Sequence, residues 1–283
     1  MKIDGKQIAS EILENLKKKV NNLKEQGITP CVAIILVGND PASVAYVAQK
    51  VKKAEKIGTK ATVYRLPSET SENKLLMLLK KLNDDEIMHG VIIQRPLPSH
   101  INPTTVNEAT NREKDIDAFR KDSPYQMPLA EAVIAILKNI FQNKLDIRYS
   151  DFIDWLKTKN IVVVGKGETG GRPTIELLRK MNIEPIVIDS KTMNHELLTR
   201  SADIVVSTVG KPNILKAESL KKGVILIGVG MHRGNDGKLH GDYNEEEIKD
   251  IASFYTPIPD GVGPMNVAML LKNLVKACDN FTL

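Results

Sequence analysis

The chain holds 283 residues, 42% of them hydrophobic and 27% charged, a balance that excludes a disordered or low-complexity protein. No apolar run approaches the ~18 residues of a membrane span, and a chain this long can bury a core without a metal or disulfide staple. The net charge of +5 invites a nucleic-acid reading. Against it, Lys17–Lys19 and the set Lys50, Lys52, Lys53 and Lys56 alternate with apolar helix positions, and 4% aromatics supply no stacking platform.

Residues 6–26 place Ile8, Ile12, Leu13, Leu16, Val20 and Leu23 at helical spacing. Residues 31–38 form a continuous apolar run ending in glycine, the pattern of a buried parallel strand. A helix is predicted over 42–58 with Gly58 closing it, a strand over 61–66, and a helix over 71–83 capped by Ser71. The run 90–94 is again a buried strand, cut off by Pro96 and Pro98. A short helix near 103–111 precedes a Pro-rich polar stretch, 117–128, that reads as a linker. After a helix at about 129–139, a second series begins. A strand then a turn is expected over 160–167 and strands at 184–190, 202–210 and 223–230, with a helix at 169–182 and a strongly apolar last helix at 262–278.

This alternation predicts α/β architecture with parallel sheets in two domains, a cleft between them. Residues 1–122 and 262–283 are assigned to one domain; 123–261, where GxGxxG at 165–170 follows a strand and opens a helix, are assigned to a Rossmann-type dinucleotide-binding domain. The last helix is too apolar to stand free and is expected to pack back on the first domain. The polar N-terminus suggests no secretory signal. The two distant cysteines, Cys31 and Cys278, suit a reducing cytoplasm. The five histidines form no HxxxH or HxH pair, so no metal is expected.

Two groups of residues carry chemistry. Gly165, Gly167 and Gly170 form GxGxxG between a strand and a helix, with Gly171 following. Glycines there let a pyrophosphate approach the backbone, and the helix N-terminus offers free amides. Lys166 could meet a 2′-phosphate, favouring NADP. Asp189, 24 residues after Gly165, could bind a ribose 2′-hydroxyl, favouring NAD, with Ser190 beside it. The two signals conflict. In the 42–58 helix, Ser43, Tyr46 and Lys50 share one face at i, i+3 and i+7. That face starts beyond the carboxyl end of the 31–37 strand, where Gln94 also ends its own strand.

VGNDPASVAYVAQKVKKAEKIG, HGVIIQRPLP, KDIDAF and TPIPDGVGPMNVAMLLKN, in this order along nearly the whole chain, resemble the signatures of the bifunctional methylenetetrahydrofolate dehydrogenase / methenyltetrahydrofolate cyclohydrolase family. The resemblance implies oxidation of 5,10-methylenetetrahydrofolate with NADP or NAD, then hydrolysis of the methenyl product to 10-formyltetrahydrofolate. It implies Lys50 as catalytic lysine, Tyr46 stacking on the folate, Gln94 bonding the lysine, and Asp117 holding the pterin's amino edge. Ser43 completes that face. Pro257, Gly261, Val262 and Pro264 match a loop that closes over substrate and nicotinamide. NADP is the family precedent, and a homodimer through the Rossmann domains is implied; no nucleic-acid or membrane partner is.

The sequence departs from the family pattern at several places. Ala118 stands where glycine is usual, Gly165-Lys166-Gly167 replaces GRS, Asp189 replaces a histidine, Asp260 replaces a glycine, and only Pro128 survives of PCTPxG. Most of these lie on the cofactor side. The alternatives are therefore a mainly hydrolytic enzyme with weak or altered dehydrogenase activity, or another two-domain NAD(P) dehydrogenase of shikimate-dehydrogenase type.

Overall fold

The apolar runs at 31–37 and 90–93 become neighbouring strands of one parallel sheet. The structure, a computed structural model, describes residues 1–144 and 151–279. Its elements begin with α1 (Gly5–Glu25), β1 (Cys31–Val37), α2 (Pro41–Lys56), β2 (Lys60–Leu66), α3 (Glu72–Asp84), β3 (Gly90–Ile93) and α4 (Pro103–Ala109). Then come α5 (Pro128–Lys144), α6 (Phe152–Lys157), β4 (Ile161–Val164), α7 (Gly171–Lys180), β5 (Ile186–Ile188), α8 (His195–Ser201) and β6 (Ile204–Ser207). The last are β7 (Ile225–Gly228), β8 (Met231–Arg233), β9 (Leu239–Gly241), α9 (Glu245–Ile248), β10 (Phe254–Tyr255) and α10 (Val262–Asp279).

The chain divides into two compact units. The first comprises Ser10–Pro128 and the chain from Val267 onward. Its sheet has the order β2-β1-β3, all parallel, so β1 is central and every one of its residues is buried. One face of β1 (Ala33, Ile35, Val37) packs with Val91 and Ile93 of β3 and Leu75, Leu79 and Leu82 of α3. Pro41 opens α2, and the Asp40 carboxylate accepts the Ser43 amide at 2.8 Å, so the N-cap fixes where this helix starts. Ser71 caps α3 as the sequence predicts.

The second unit comprises Met1–Ala9 and Leu129–Asn266. Its sheet has the order β10-β7-β6-β4-β5, again parallel throughout. The strand β10, the antiparallel hairpin β8–β9 and the helices α6, α8 and α9 are additions to the sequence reading. These elements are two to seven residues long, too short for a periodic apolar pattern to stand out.

Three boundaries differ from those read in the sequence. Residues 1–9 belong to the second unit, because Ile3 donates its amide to Tyr255 O at 2.8 Å and Met1 O accepts the Tyr255 amide at 3.0 Å. The stretch 117–128 is packed, and the unit boundary falls after Pro128. Tyr125 is buried there with its hydroxyl on Glu113 O at 2.7 Å, and the Asn273 amide donates to Ile116 O and Gln126 O at 2.9 Å each. Asn273 lies on α10, whose residues from Val267 group with the first unit. Residues 262–266 group with the second unit.

Candidate active site

Helical geometry puts Ser43, Tyr46 and Lys50 on one face of α2, and the structure assembles further groups around the lysine. Lys50 is buried, with its side chain 5% exposed. Its ammonium donates to Gln94 Oε1 at 3.2 Å and lies 3.8 Å from Asp117 Oδ2 and 5.2 Å from the centre of the Tyr46 ring. Burial pushes the Lys50 pKa below the ordinary lysine value, and the Asp117 carboxylate opposes that shift. Gln94 directly follows β3, and its amide bonds Ile35 O at 2.9 Å, which extends the sheet ladder. Its side-chain NH₂ donates to Arg95 O at 2.7 Å, so the carbonyl end must face the lysine. Ser43 is buried, its hydroxyl 3.5 Å from Arg95 O. Five residues singled out in the sequence thus meet in one unit.

Asp115 is a further carboxylate that sequence reading passed over. It is buried and accepts the amides of Phe119 at 3.3 Å and Arg120 at 2.9 Å, closing the turn that presents Asp117. Burial, reinforced by the neighbouring Asp117 charge, pushes its pKa up to about 7 against those two amides. The D-x-D spacing was the signal available for it.

The glycine-rich turn lies in the second unit, between β4 and α7. Gly165 has φ +95°, and a Cβ on it would stand 2.7 Å from Thr208 Oγ1. A Cβ on Gly171 would stand 2.1 Å from Gly165 O, so this position admits glycine only. Gly171 therefore takes the helix-packing role that the GxGxxG spacing assigns to Gly170, which is the N-cap of α7. Gly167 faces open space. The two charges that conflict in the sequence pair with each other: Lys166 Nζ is 2.6 Å from Asp189 Oδ2. With the Lys191 amide and the Thr192 hydroxyl also on it, the Asp189 carboxyl is held down at about 2. Ser190 is exposed beside it. Pro257, Gly261, Val262 and Pro264 follow β10 in the second unit, the first three buried. The Thr256 hydroxyl accepts the Gly228 amide at 2.8 Å, tying the start of that loop to the end of β7.

Residues 3–117 match the family description "Tetrahydrofolate dehydrogenase/cyclohydrolase, catalytic domain", and residues 150–282 match its "NAD(P)-binding domain". The chain belongs to this family. The Bifunctional protein FolD of Nautilia profundicola is 41% identical over 99% of this chain and 97% of its own length. The crystal structure of the bifunctional enzyme FolD from Campylobacter jejuni superposes with a TM-score of 0.90 at 35% identity, covering 99% of each chain. The Trypanosoma brucei enzyme, solved with NADP cofactor and inhibitor, gives 0.89 at 28% identity over 100% of this chain and 99% of that one. A family match along both units favours neither the shikimate-dehydrogenase-type reading nor a loss of one activity.

Family membership gives meaning to two departures. Ala118 and Asp260, both standing where the family pattern has glycine, have φ +58° and +77°. Both hold the left-handed backbone that a Cβ disfavours, alanine more than aspartate. Ala118→Gly is expected to stabilise the protein by ~1 kcal/mol, because the relieved strain exceeds the entropy glycine adds to the unfolded chain. Thermal unfolding checks it; a lowered melting temperature would contradict the strain.

Proposed function

We propose that this chain oxidises 5,10-methylenetetrahydrofolate with NAD(P)⁺ and hydrolyses the methenyl product to 10-formyltetrahydrofolate, with Lys50 at the centre of the hydrolytic step. The observation that carries this reading is the buried Lys50 ammonium fixed between Gln94 and Asp117 under the Tyr46 ring. Hydride leaves a carbon flanked by two nitrogens, so the resulting cation is stabilised by amidinium resonance. The protein's task in this step is alignment. Tyr46 offers a face for the folate ring system, and Asp117 suits the paired N–H donors of a pterin. Hydrolysis adds water to the cationic carbon, opens one C–N bond and releases a proton. A lysine whose pKa burial has lowered can take that proton, and Gln94 holds its nitrogen in place.

The second unit fits a dinucleotide. The tight Gly165 turn, the exposed Gly167 and the amides at the start of the ten-residue α7 make a phosphate cradle that larger side chains would fill. Gly165, Lys166, Gly167, Gly170 and Gly171 would hold the pyrophosphate, with Asp189 and Ser190 at the adenosine ribose. When bound, NAD(P)⁺ supplies the hydride acceptor. The Lys166–Asp189 pair is close to neutral as a unit, which leaves room for both cofactors. Asp189→Ser frees Lys166 for a 2′-phosphate, so the NADP/NAD preference ratio is expected to rise by ~10-fold. Initial rates with each cofactor measure it; an unchanged ratio would remove Asp189 from the ribose.

A cytoplasmic location is part of this proposal: Cys31 and Cys278, both buried, would stay reduced there. Among the described residues, no helix is long and apolar enough to cross a membrane. A homodimer through the second unit is supported by the β8–β9 hairpin, which exposes Met231 and Leu239. Light scattering is expected to give about twice the 31.4 kDa chain mass; a monomer at micromolar concentration would contradict it. The overall reading is tested by absorbance. Methylenetetrahydrofolate with NAD or NADP should yield reduced nicotinamide, and methenyltetrahydrofolate alone should lose its absorbance faster than in buffer. Absence of both would overturn it.

A further inference from the structure

Where β6 ends, the chain turns, and the amides of that turn need acceptors. They find a single carboxylate. Asp242, fully buried one residue after β9, accepts the Ser207 hydroxyl at 2.5 Å and the amides of Val209 at 2.9 Å, Gly210 at 2.7 Å and Lys211 at 2.9 Å. Four donors on one carboxylate are a strong, directional clamp.

The clamped turn is joined to its neighbours on both sides. Thr208 donates its amide and hydroxyl to Val164 O at the end of β4, at 2.8 and 3.0 Å. Ser207 O accepts the amides of Val229 and Gly230 beyond β7, at 2.8 and 3.1 Å. The sheet order β7-β6-β4-β5 matters here. From β4 the chain goes first to β5 on one side and then to β6 on the other, so β4 and β6 flank the topological switch point. In open parallel sheets, ligands occupy the crevice outside the carboxyl ends of the strands at that point. The turn that Asp242 holds forms the β6 wall of that crevice, and Gly165 forms the β4 wall.

We propose that Asp242 is a positioning residue for the dinucleotide: its carboxylate shapes the Ser207–Lys211 turn so that the crevice beside Gly165 accepts the cofactor. It acts through the backbone amides it holds and has no part in hydrolysis, whose residues lie in the other unit. This role rests on the reading of the second unit as the cofactor domain. Asparagine in its place keeps the shape but turns an NH₂ toward a set of donors, so at least one amide of the turn loses its acceptor.

The test is Asp242→Asn in the full chain, with binding of NADH and NADPH followed by nicotinamide fluorescence and methenyltetrahydrofolate hydrolysis assayed without dinucleotide. The expected result is a Kd for the reduced cofactors raised by ~10-fold or more, a dehydrogenase KM that follows it, and hydrolysis within about twofold of wild type. An unchanged Kd would overturn the proposal. So would an equal loss of binding and hydrolysis, the sign of a purely structural residue. If Asp242→Asn does not fold, Ser207→Ala removes one donor and leaves the carboxylate. It should raise Kd by ~3-fold with hydrolysis intact, and an unchanged Kd there would also overturn the role. A wild-type chain that hydrolyses the methenyl compound but binds neither dinucleotide would overturn the reading of the second unit, and this role with it.

Discussion

Lys50→Met is expected to abolish methenyltetrahydrofolate hydrolysis while leaving folate binding largely in place. Loss of a general base removes ~100- to 10,000-fold in rate, and Lys50 is the one lysine of α2 that is buried, on the face that carries Ser43. The methionine fills nearly the same buried volume, so Tyr46 and Asp117 keep their places. Stability should move the opposite way to activity. The Lys50 pKa is lower folded than unfolded. Between the lowered value and the ordinary lysine value, the unfolded chain binds more protons, so stability rises with pH across that window. At neutral pH the buried lysine is therefore a net cost. Lys50→Met removes that cost, while Asp117, its side chain 17% exposed, loses its ion-pair partner and is left to solvent. A raised melting temperature with hydrolysis lost would identify a functional residue kept at the expense of stability. Wild-type hydrolysis in the variant would remove Lys50 from the mechanism.

Asp117→Ala is expected to act mainly on binding. A charge-assisted hydrogen bond to the substrate contributes ~1.5–3 kcal/mol, so KM for folate should rise by ~10- to 100-fold. The structure adds a second effect. Asp117 lies within 3.8 Å of the Lys50 ammonium and raises its pKa against burial. Removing the carboxylate should lower the Lys50 pKa further and shift the hydrolysis pH profile to lower pH. Steady-state kinetics across pH separates the two effects, and an unchanged KM would take Asp117 out of the site.

Much of this was legible in the sequence because the signals were local. The apolar runs of β1 and β3 and the i, i+3, i+7 placement of Ser43, Tyr46 and Lys50 follow from strand and helix periods alone. Gln94 could be placed because Pro96 ends its strand. The parts missed depend on long-range partners. Residues 1–9 join the second unit through Tyr255, more than 250 positions away. The stretch 117–128 looks like a linker because its backbone groups are satisfied by side chains outside it, the Arg120 amide by Asp115 and the Gln126 carbonyl by Asn273. Lys166 and Asp189 read as rival cofactor signals until the turn after β5 sets one against the other.

The central claim is that a lysine with a lowered pKa, held by Gln94 and flanked by Asp117, takes the proton from water in the hydrolytic step. The pH dependence of methenyltetrahydrofolate hydrolysis, corrected for the spontaneous reaction, tests this most directly. The rate of the wild-type enzyme should rise with pH through one inflection well below the ordinary lysine value of 10.5. That inflection should vanish in Lys50→Met. An inflection that persists unchanged in the variant, or a wild-type rate that is flat across the range, would contradict the account.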